Sequence, residues 1–463
     1  MSPRRSVPVA AAVALAALAA AHASPAAAGD VIRAVRRSSA AVPATAYREG
    51  ELIVSLREGA DAGDLERELR AGGARELRRS RSQRRLLVRL DAGVGVPEAV
   101  AAFSRLPEVQ YAEPNGLLRQ SQGATFKPDD VYYKYQWNLK QMNAERTWGI
   151  QKGKSSVAVA VLDSGVAYED YTDPRTGTVY RKAPDWGDTV FLPGYDFVNG
   201  DDHPNDDEYH GTHVASTIAE ATDNATGMAG LAFGCAILPV KVLDADGTGT
   251  FFDVAEGVDF AVAFTQNGQH PVKVINLSLG SEGFSETLKQ AIDRAYAQGV
   301  LVVAAAGNSA KSVVEFPANL ANVVAVGALD ARKQLASYSN TGSDLDFVAP
   351  GGNCDRDDDN DGVDDCVYQQ MPDPDFVDRG LHDHFCYCGL DGTSMATPHV
   401  SAAAALLFSQ GFSDPAAVRA ALQQTAERLG GAPADGRNET YGYGLVRPAN
   451  ALPGLGLDSG PKQ

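Results

Sequence analysis

Val157-Ala158-Val159-Ala160-Val161-Leu162-Asp163-Ser164-Gly165 is the stretch that decides the fold. Its six apolar residues do not alternate with polar ones, so a strand here has both faces covered, as in a parallel sheet flanked by helices. The run ends in a carboxylate and then a glycine, and open α/β sheets place their chemistry just past the carboxyl ends of their strands. Similar runs recur outward from it, at Ile237 to Leu243, Val272 to Leu279, Val300 to Ala306 and Val323 to Val326. Phe252 to Thr265 and Ser285 to Gln298 lie between them with helical spacing. Strands alternating with helices predict an α/β domain with a parallel central sheet over residues 133–455, followed by a tail at 456–463.

The N-terminal part reads differently. Residues 46–117 predict a small α+β unit, with strands at 51–56, 85–90 and 109–112 and helices at 61–71 and 96–106. An Ala-, Ser- and Pro-rich leader covers 24–45, and a polar linker and processing region covers 118–132. At the start, Arg4 and Arg5 precede an apolar run from Val7 to Ala21, and Ala21-His22-Ala23 has the small-x-small form of a cleavage site. This predicts a signal peptide over residues 1–23 and a secreted product. A membrane anchor is the alternative, but the run is short for a span and no second one follows.

The 463 residues and 44% hydrophobic content suit two folded units plus a targeting segment. A net charge of −18 argues against a nucleic-acid partner, whose phosphates recruit Lys and Arg. Cys354, Cys366, Cys386 and Cys388 fall in one irregular region, fit an oxidising compartment and allow three pairings. Cys354 with Cys366 is the first choice, because it staples the base of an Asp-rich loop. A zinc site is the competing reading, without the paired C-x-x-C form. Cys235, in an apolar run, reads as a buried thiol.

Acyl transfer by a serine needs a nucleophile, a base, a group that orients the base, and donors for the oxyanion. Asp163 sits at a buried strand end. His210 opens His210-Gly211-Thr212-His213-Val214-Ala215-Ser216, where small residues let a helix pack closely, with His213 as the packing member. Ser394 lies in Asp391-Gly392-Thr393-Ser394-Met395-Ala396-Thr397-Pro398-His399-Val400, near the start of an Ala-rich helix. Asn308 follows Val302-Val303-Ala304-Ala305-Ala306-Gly307. Each residue taken singly also reads structurally, as a cap, a packing histidine or a turn asparagine.

Together, VLDSGV, HGTHVAS, AAAGN and GTSMATPHV resemble the subtilisin-like serine peptidases, in the chain order Asp, His, Ser of subtilisin. The resemblance covers about 133–452. It implies an endopeptidase acting on proteins or peptides, with Asp163, His210 and Ser394 as triad and Asn308 as oxyanion donor. It implies substrate pairing along Ser278, Leu279 and Gly280, with Ala305 and Gly307 opposite. It also implies that the 46–117 unit is a ferredoxin-like propeptide that inhibits its own enzyme, and that the product is a monomer.

The resemblance further implies calcium. Asp196, Asn199, Asp201 and Asn205 match a calcium loop of some members, and Gln136 and Asn224 match a second site. Independently, Asp357-x-Asp359-x-Asp361-Gly362 has the alternating oxygens of an EF-hand loop, with Asp365 ninth and Tyr368 where a bidentate Glu belongs. A solvated acidic loop is the alternative. Glu315, before Phe316-Pro317, matches the floor of the first specificity pocket, where a carboxylate favours a basic substrate side chain. An esterase using the same triad is a further alternative, but no G-x-S-x-G elbow surrounds Ser394. A calcium-binding protein without catalysis is another, opposed by the intact set of four residues.

Overall fold

In a computed structural model of the chain, the described residues are 47–116, 125–431 and 436–452, apart from 61, 72, 81, 83 and 359. The expected signal peptide, the leader, the tail and residues 118–124 of the linker lie outside them.

The chain divides into two compact units, Met1–Ser121 and Gln122–Gln463. The first runs β1 (Tyr47–Leu56), α1 (Ala62–Ala71), β2 (Ala74–Arg79), β3 (Arg85–Leu90), α2 (Val96–Phe103) and β4 (Val109–Gly116). The strands form one antiparallel sheet in the order β2-β3-β1-β4, the βαββαβ plan of ferredoxin-like domains. Leu52, Val54, Leu65, Leu69, Val88 and Phe103 are in its core. The sequence carries no sign of β2. Ala-Arg-Glu-Leu-Arg-Arg does not alternate because it is an edge strand that fully buries only Ala74.

The second unit is built on β5 (Ala158–Asp163), β6 (Tyr195–Asp196), β7 (Ala236–Lys241), β8 (Val272–Leu277), β9 (Leu301–Ala305), β10 (Val323–Leu329) and β11 (Phe347–Pro350). These make a seven-stranded sheet in the order β11-β10-β9-β8-β5-β7-β6. All its pairs are parallel. Strand order reverses at β5, since the chain leaves it for β6 and β7 on one side and then returns to β8 on the other. Such a switch point opens a crevice at the carboxyl ends. Helices α3 (His210–Ala219) and α6 (Thr393–Gln410) pack together, and α6 also packs on β8, β9, β10 and β11. Helices α4 (Phe251–Ala263) and α5 (Glu286–Ala297) form a second packed pair.

Between β11 and α6 the chain makes a hairpin of β12 (Val367–Pro372) and β13 (Phe385–Leu390). Disulfides join Cys354 to Cys366 and Cys386 to Cys388, with Cα separations of 4.6 and 5.4 Å, and Cys235 is free and buried. The hairpin is tied to α3. His213 Nε2 donates to the Val367 carbonyl at 2.8 Å and Ser216 Oγ to the Gln370 carbonyl at 3.3 Å. Burial lowers the pKa of His213 to about 3, so it stays neutral there.

Candidate active site

The crevice is assembled from strand ends and helix starts. Asp163 closes β5 and is fully buried. Its Oδ1 accepts from the Ser164 N–H at 2.8 Å and from His210 Nδ1 at 2.7 Å. His210 begins α3, and that helix approaches the strand closely. A Cβ on Gly211 would stand 2.1 Å from the Gly165 carbonyl oxygen, so glycine alone fits. Ser164 Oγ accepts the Gly211 N–H at 2.9 Å and donates to Asp206 Oδ1 at 2.9 Å; Asp206 Oδ2 in turn accepts from the Thr212 N–H at 2.9 Å. This bracing of the first turn of α3 was not read from the sequence, although Ser164 and Thr212 stand inside the quoted motifs.

Burial pulls the pKa of the His210 imidazole down, but the Asp163 charge and hydrogen bond, with Glu208 and Asp206 behind them, lift it to about 9. Glu208 Oε2 accepts the backbone N–H groups of Tyr209 and His210 at 2.8 and 2.6 Å.

Ser394 is the second residue of α6. Its Oγ donates to the Ser278 carbonyl at 3.1 Å, not to His210, while Ser278 Oγ donates to the Ser394 carbonyl at 2.8 Å. Asn276 Nδ2 donates to Ser278 Oγ at 2.9 Å, and Ser401 Oγ donates to Asn276 Oδ1 at 2.7 Å. Asn308 follows β9. Its Oδ1 accepts both the N–H and the Oγ1–H of Thr393 at 2.8 Å, which fixes the amide and leaves Nδ2 as the outward donor. Thr393 Oγ1 also accepts the Gly307 N–H at 3.2 Å. Gly307 has φ +103°, and a Cβ there would meet Glu315 Oε1 at 2.6 Å.

Ser278, Leu279 and Gly280 line a cavity of about 640 Å³ together with His210, Glu208 and Leu243. Ala305 is buried at the end of β9. Glu315 lies between the two strand ends. A Cβ on Gly280 would be 3.0 Å from its Oε2, and its Oε1 accepts from Asn340 Nδ2 at 3.1 Å.

Residues 154–444 match the model of the Subtilase family (peptidase S8), and 33–115 match the Fervidolysin N-terminal prodomain. The chain belongs to the subtilase family. It is 36% identical over 408 residues to the Thermophilic serine proteinase of Bacillus sp. (strain AK1), covering 88% of each chain. It is 35% identical over 307 residues to Thermitase of Thermoactinomyces vulgaris, 66% of this chain and 94% of that one. A solved protease from Pseudoalteromonas arctica PAMC 21717 superposes with a TM-score of 0.57 at 30% identity, covering 70% of this chain and 98% of that one. The protein is a serine peptidase of this family, carrying a prodomain.

The positions matched to calcium in subtilases differ in how they are used. In the loop after β6, Asp196 Oδ1 accepts the Val198 and Asn199 N–H groups at 2.8 Å, and its Oδ2 accepts from Asn199 Nδ2 at 2.9 Å. Asp201 Oδ2 pairs with Arg175 Nη2 at 2.6 Å, and Arg175 Nη1 donates to the Asn199 carbonyl at 3.1 Å. Asn205 Nδ2 donates to Glu169 at 3.0 Å. Protein donors thus fill most of this set, and a guanidinium supplies the positive charge. That is a poor fit to a metal site at Asp196, Asn199, Asp201 and Asn205.

Gln136 spends both ends of its amide on the Ala229 backbone. Asn224 Nδ2 donates to Asp185 Oδ1 at 2.8 Å. Near Asp185 lie Asp130 and Glu220, and burial raises the pKa of all three carboxyls, that of Asp130 to about 6. Asp130 Oδ1 and both Glu220 oxygens are buried without a donor, an environment that suits a hard cation or a proton. The sequence reading missed these three, which are far apart along the chain.

In the 357–365 loop, Asp357 accepts the Asp361 and Gly362 N–H groups at 3.1 Å, and the buried Asp365 accepts the Asp358 N–H at 2.6 Å. Asp359 lies outside the described residues. Among the described residues no group of three or more His, Cys, Asp or Glu side chains stands ready to hold a metal ion. Among them, too, no helix is long and apolar enough to cross a membrane.

Proposed function

We propose that the chain is the precursor of a secreted, calcium-stabilised serine endopeptidase in which Asp163, His210 and Ser394 form the triad and Asn308 serves the oxyanion. One observation carries this reading: the 2.7 Å bond from His210 Nδ1 to a fully buried Asp163, at the mouth of a cavity beside the start of the Ser394 helix. With Nδ1–H held by the carboxylate, Nε2 is the basic nitrogen.

In the reaction, Ser394 Oγ turns from the Ser278 carbonyl and attacks the scissile carbonyl carbon, while its proton passes to His210 Nε2. Asp163 stabilises the imidazolium. The oxyanion takes hydrogen bonds from Asn308 Nδ2 and the Ser394 N–H. The imidazolium protonates the leaving amine, and water attacks the acyl-enzyme by the same relay. Glu315, below Gly280, receives the first substrate side chain.

The working division is a signal peptide at 1–23, a prodomain at 46–117 that inhibits its own peptidase until a cut between about Leu118 and Lys127, and a monomeric peptidase at 133–455. Calcium fits best at the bare Asp130 and Glu220 oxygens, since those of Asn224 and Asp185 accept protein N–H groups, and in the 357–365 loop; there it would stabilise the fold without entering the chemistry. At the loop after β6, Arg175 takes the place of a metal.

Casein digestion by the purified protein tests the main reading, with Ser394→Ala alongside and a serine-directed phosphonyl fluoride added. Digestion that survives both treatments would refute it.

A further inference from the structure

The hairpin that carries two of the cysteines also roofs the cluster of Asp130, Asp185 and Glu220. Gln370 and Tyr387 stand opposite each other in the register of β12 and β13, so their side chains share one face. Both reach Asp185. Gln370 Oε1 accepts the Asp185 N–H at 2.8 Å, and the Tyr387 hydroxyl bonds to the Asp185 carboxyl. Gly227 packs so closely against that hydroxyl and Asp185 Oδ2 that a Cβ has no room. The Tyr387 ring leans on Tyr132, with centroids 5.1 Å apart. Beneath this roof lie the bare oxygens of Asp130 and Glu220.

Cys386 and Cys388 flank Tyr387 and are joined to each other. Alternate residues of a strand share a face, so the bridge lies on the side of β13 away from the Tyr387 ring. It closes a ring of only three residues. So small a loop removes little freedom from the unfolded chain. The bridge therefore acts on its own neighbourhood, where it fixes the backbone that aims Tyr387. β13 is part-exposed along its whole length, which gives a thiolate access to the bridge. The other disulfide differs, with a sequence separation of 12 and Cys366 buried.

We propose that Cys386–Cys388 is a thiol-exchange site that sets how long the Asp130 and Glu220 oxygens hold a cation. A dithiol supplies the two electrons. One of its thiolates attacks a cysteine sulfur and expels the other cysteine as a thiolate, which takes up a proton. The second reagent thiol then closes on the first, expels the remaining cysteine and leaves as a cyclic disulfide. Tyr387 loses its fixed aim, and the roof over the carboxylates opens. The durable, cation-loaded form is thereby confined to oxidising surroundings. The inference rests on the calcium reading above and adds the control of that site.

Calcium release from the full-length Ser394→Ala protein into a fluorescent chelator tests it, with and without dithiothreitol. Glu220→Gln identifies the release phase that belongs to this cluster. Once two thiols appear in the folded protein, that phase should quicken about tenfold, the effect of one lost hydrogen bond to a charged group. Cys386→Ser combined with Cys388→Ser should release calcium at the fast rate in both media. A bridge that resists the dithiol in the folded protein, or an unchanged release rate after it opens, would overturn the proposal and leave the calcium reading standing. So would a response to dithiothreitol that persists without Cys386 and Cys388. The absence of any phase sensitive to Glu220→Gln would remove both.

Discussion

Ser278 and Ser394 hold each other through two reciprocal hydrogen bonds, Oγ of Ser394 to the carbonyl of Ser278 at 3.1 Å and Oγ of Ser278 to the carbonyl of Ser394 at 2.8 Å. The substrate edge and the start of α6 are therefore set against each other by side chains. Ser278→Ala removes one of these bonds and leaves Asn276 Nδ2 without its acceptor. We expect kcat to fall about tenfold, as for one lost hydrogen bond, with KM changing little. A fall confined to KM would show that Ser278 serves only binding.

The imidazole of His210 must be neutral to accept the Ser394 proton. Its pKa of about 9 means that kcat/KM should climb tenfold per pH unit below that value and level off above it. Glu208 adds to the upward shift, so Glu208→Gln should move the bend to lower pH. The pH profiles of the two proteins, taken on one neutral peptide, decide this.

Asn308→Ala should lower kcat about 10²–10³-fold, the established cost of losing this donor in subtilisin rather than a value derived from the present geometry. Thr393→Val keeps Asn308 and the backbone N–H bond to its Oδ1 but removes the Oγ1–H bond to the same oxygen, which loosens the amide. A loss of about tenfold in kcat, at unchanged thermal stability, is the outcome that identifies Thr393 as a positioning residue.

Arg175 contacts Asp173, the Asn199 carbonyl and Asp201. Removing it by Arg175→Ala leaves the carboxylates of the loop unbalanced. The variant should lose heat resistance in chelator and regain it in millimolar calcium, beyond any calcium response of the parent. Identical calcium responses would show that the guanidinium is not acting in place of a metal.

The Lys241 ammonium is buried and donates to Asp207 Oδ1 at 2.5 Å and to the Ser164 and Leu243 carbonyls at 2.7 Å. Lys241→Met leaves those acceptors unpaired and should cost about 3 kcal/mol, the scale for breaking a buried ion pair. Urea unfolding of the Ser394→Ala form, which cannot digest itself, measures it.

Much of this architecture could be read from the chain because long buried strands have few alternative interpretations. The β5 run predicted a strand covered on both faces, and β5 is fully buried inside the sheet, between β8 and β7. Motifs that combine a reactive residue with glycine were equally legible, since Gly211 and Gly307 each mark a close approach. β2 was not legible, because an edge strand needs little apolar alternation. Partners that form only through folding were also hidden. Nothing in the local sequence of Arg175 points to Asp201, and nothing near Asp130 points to Asp185 and Glu220. The exchange of hydrogen bonds between Ser278 and Ser394 spans 116 residues of chain and has no local signature either.

The helix that presents His210 also carries His213 one turn further on, and His213 is gripped by a backbone oxygen of the cysteine-rich hairpin. The long excursion between β11 and α6 thus acts as a splint for the base. Shortening it to the length of a plainer loop would remove a strut of the catalytic apparatus, so an attempt to trim this enzyme to a minimal scaffold should begin elsewhere.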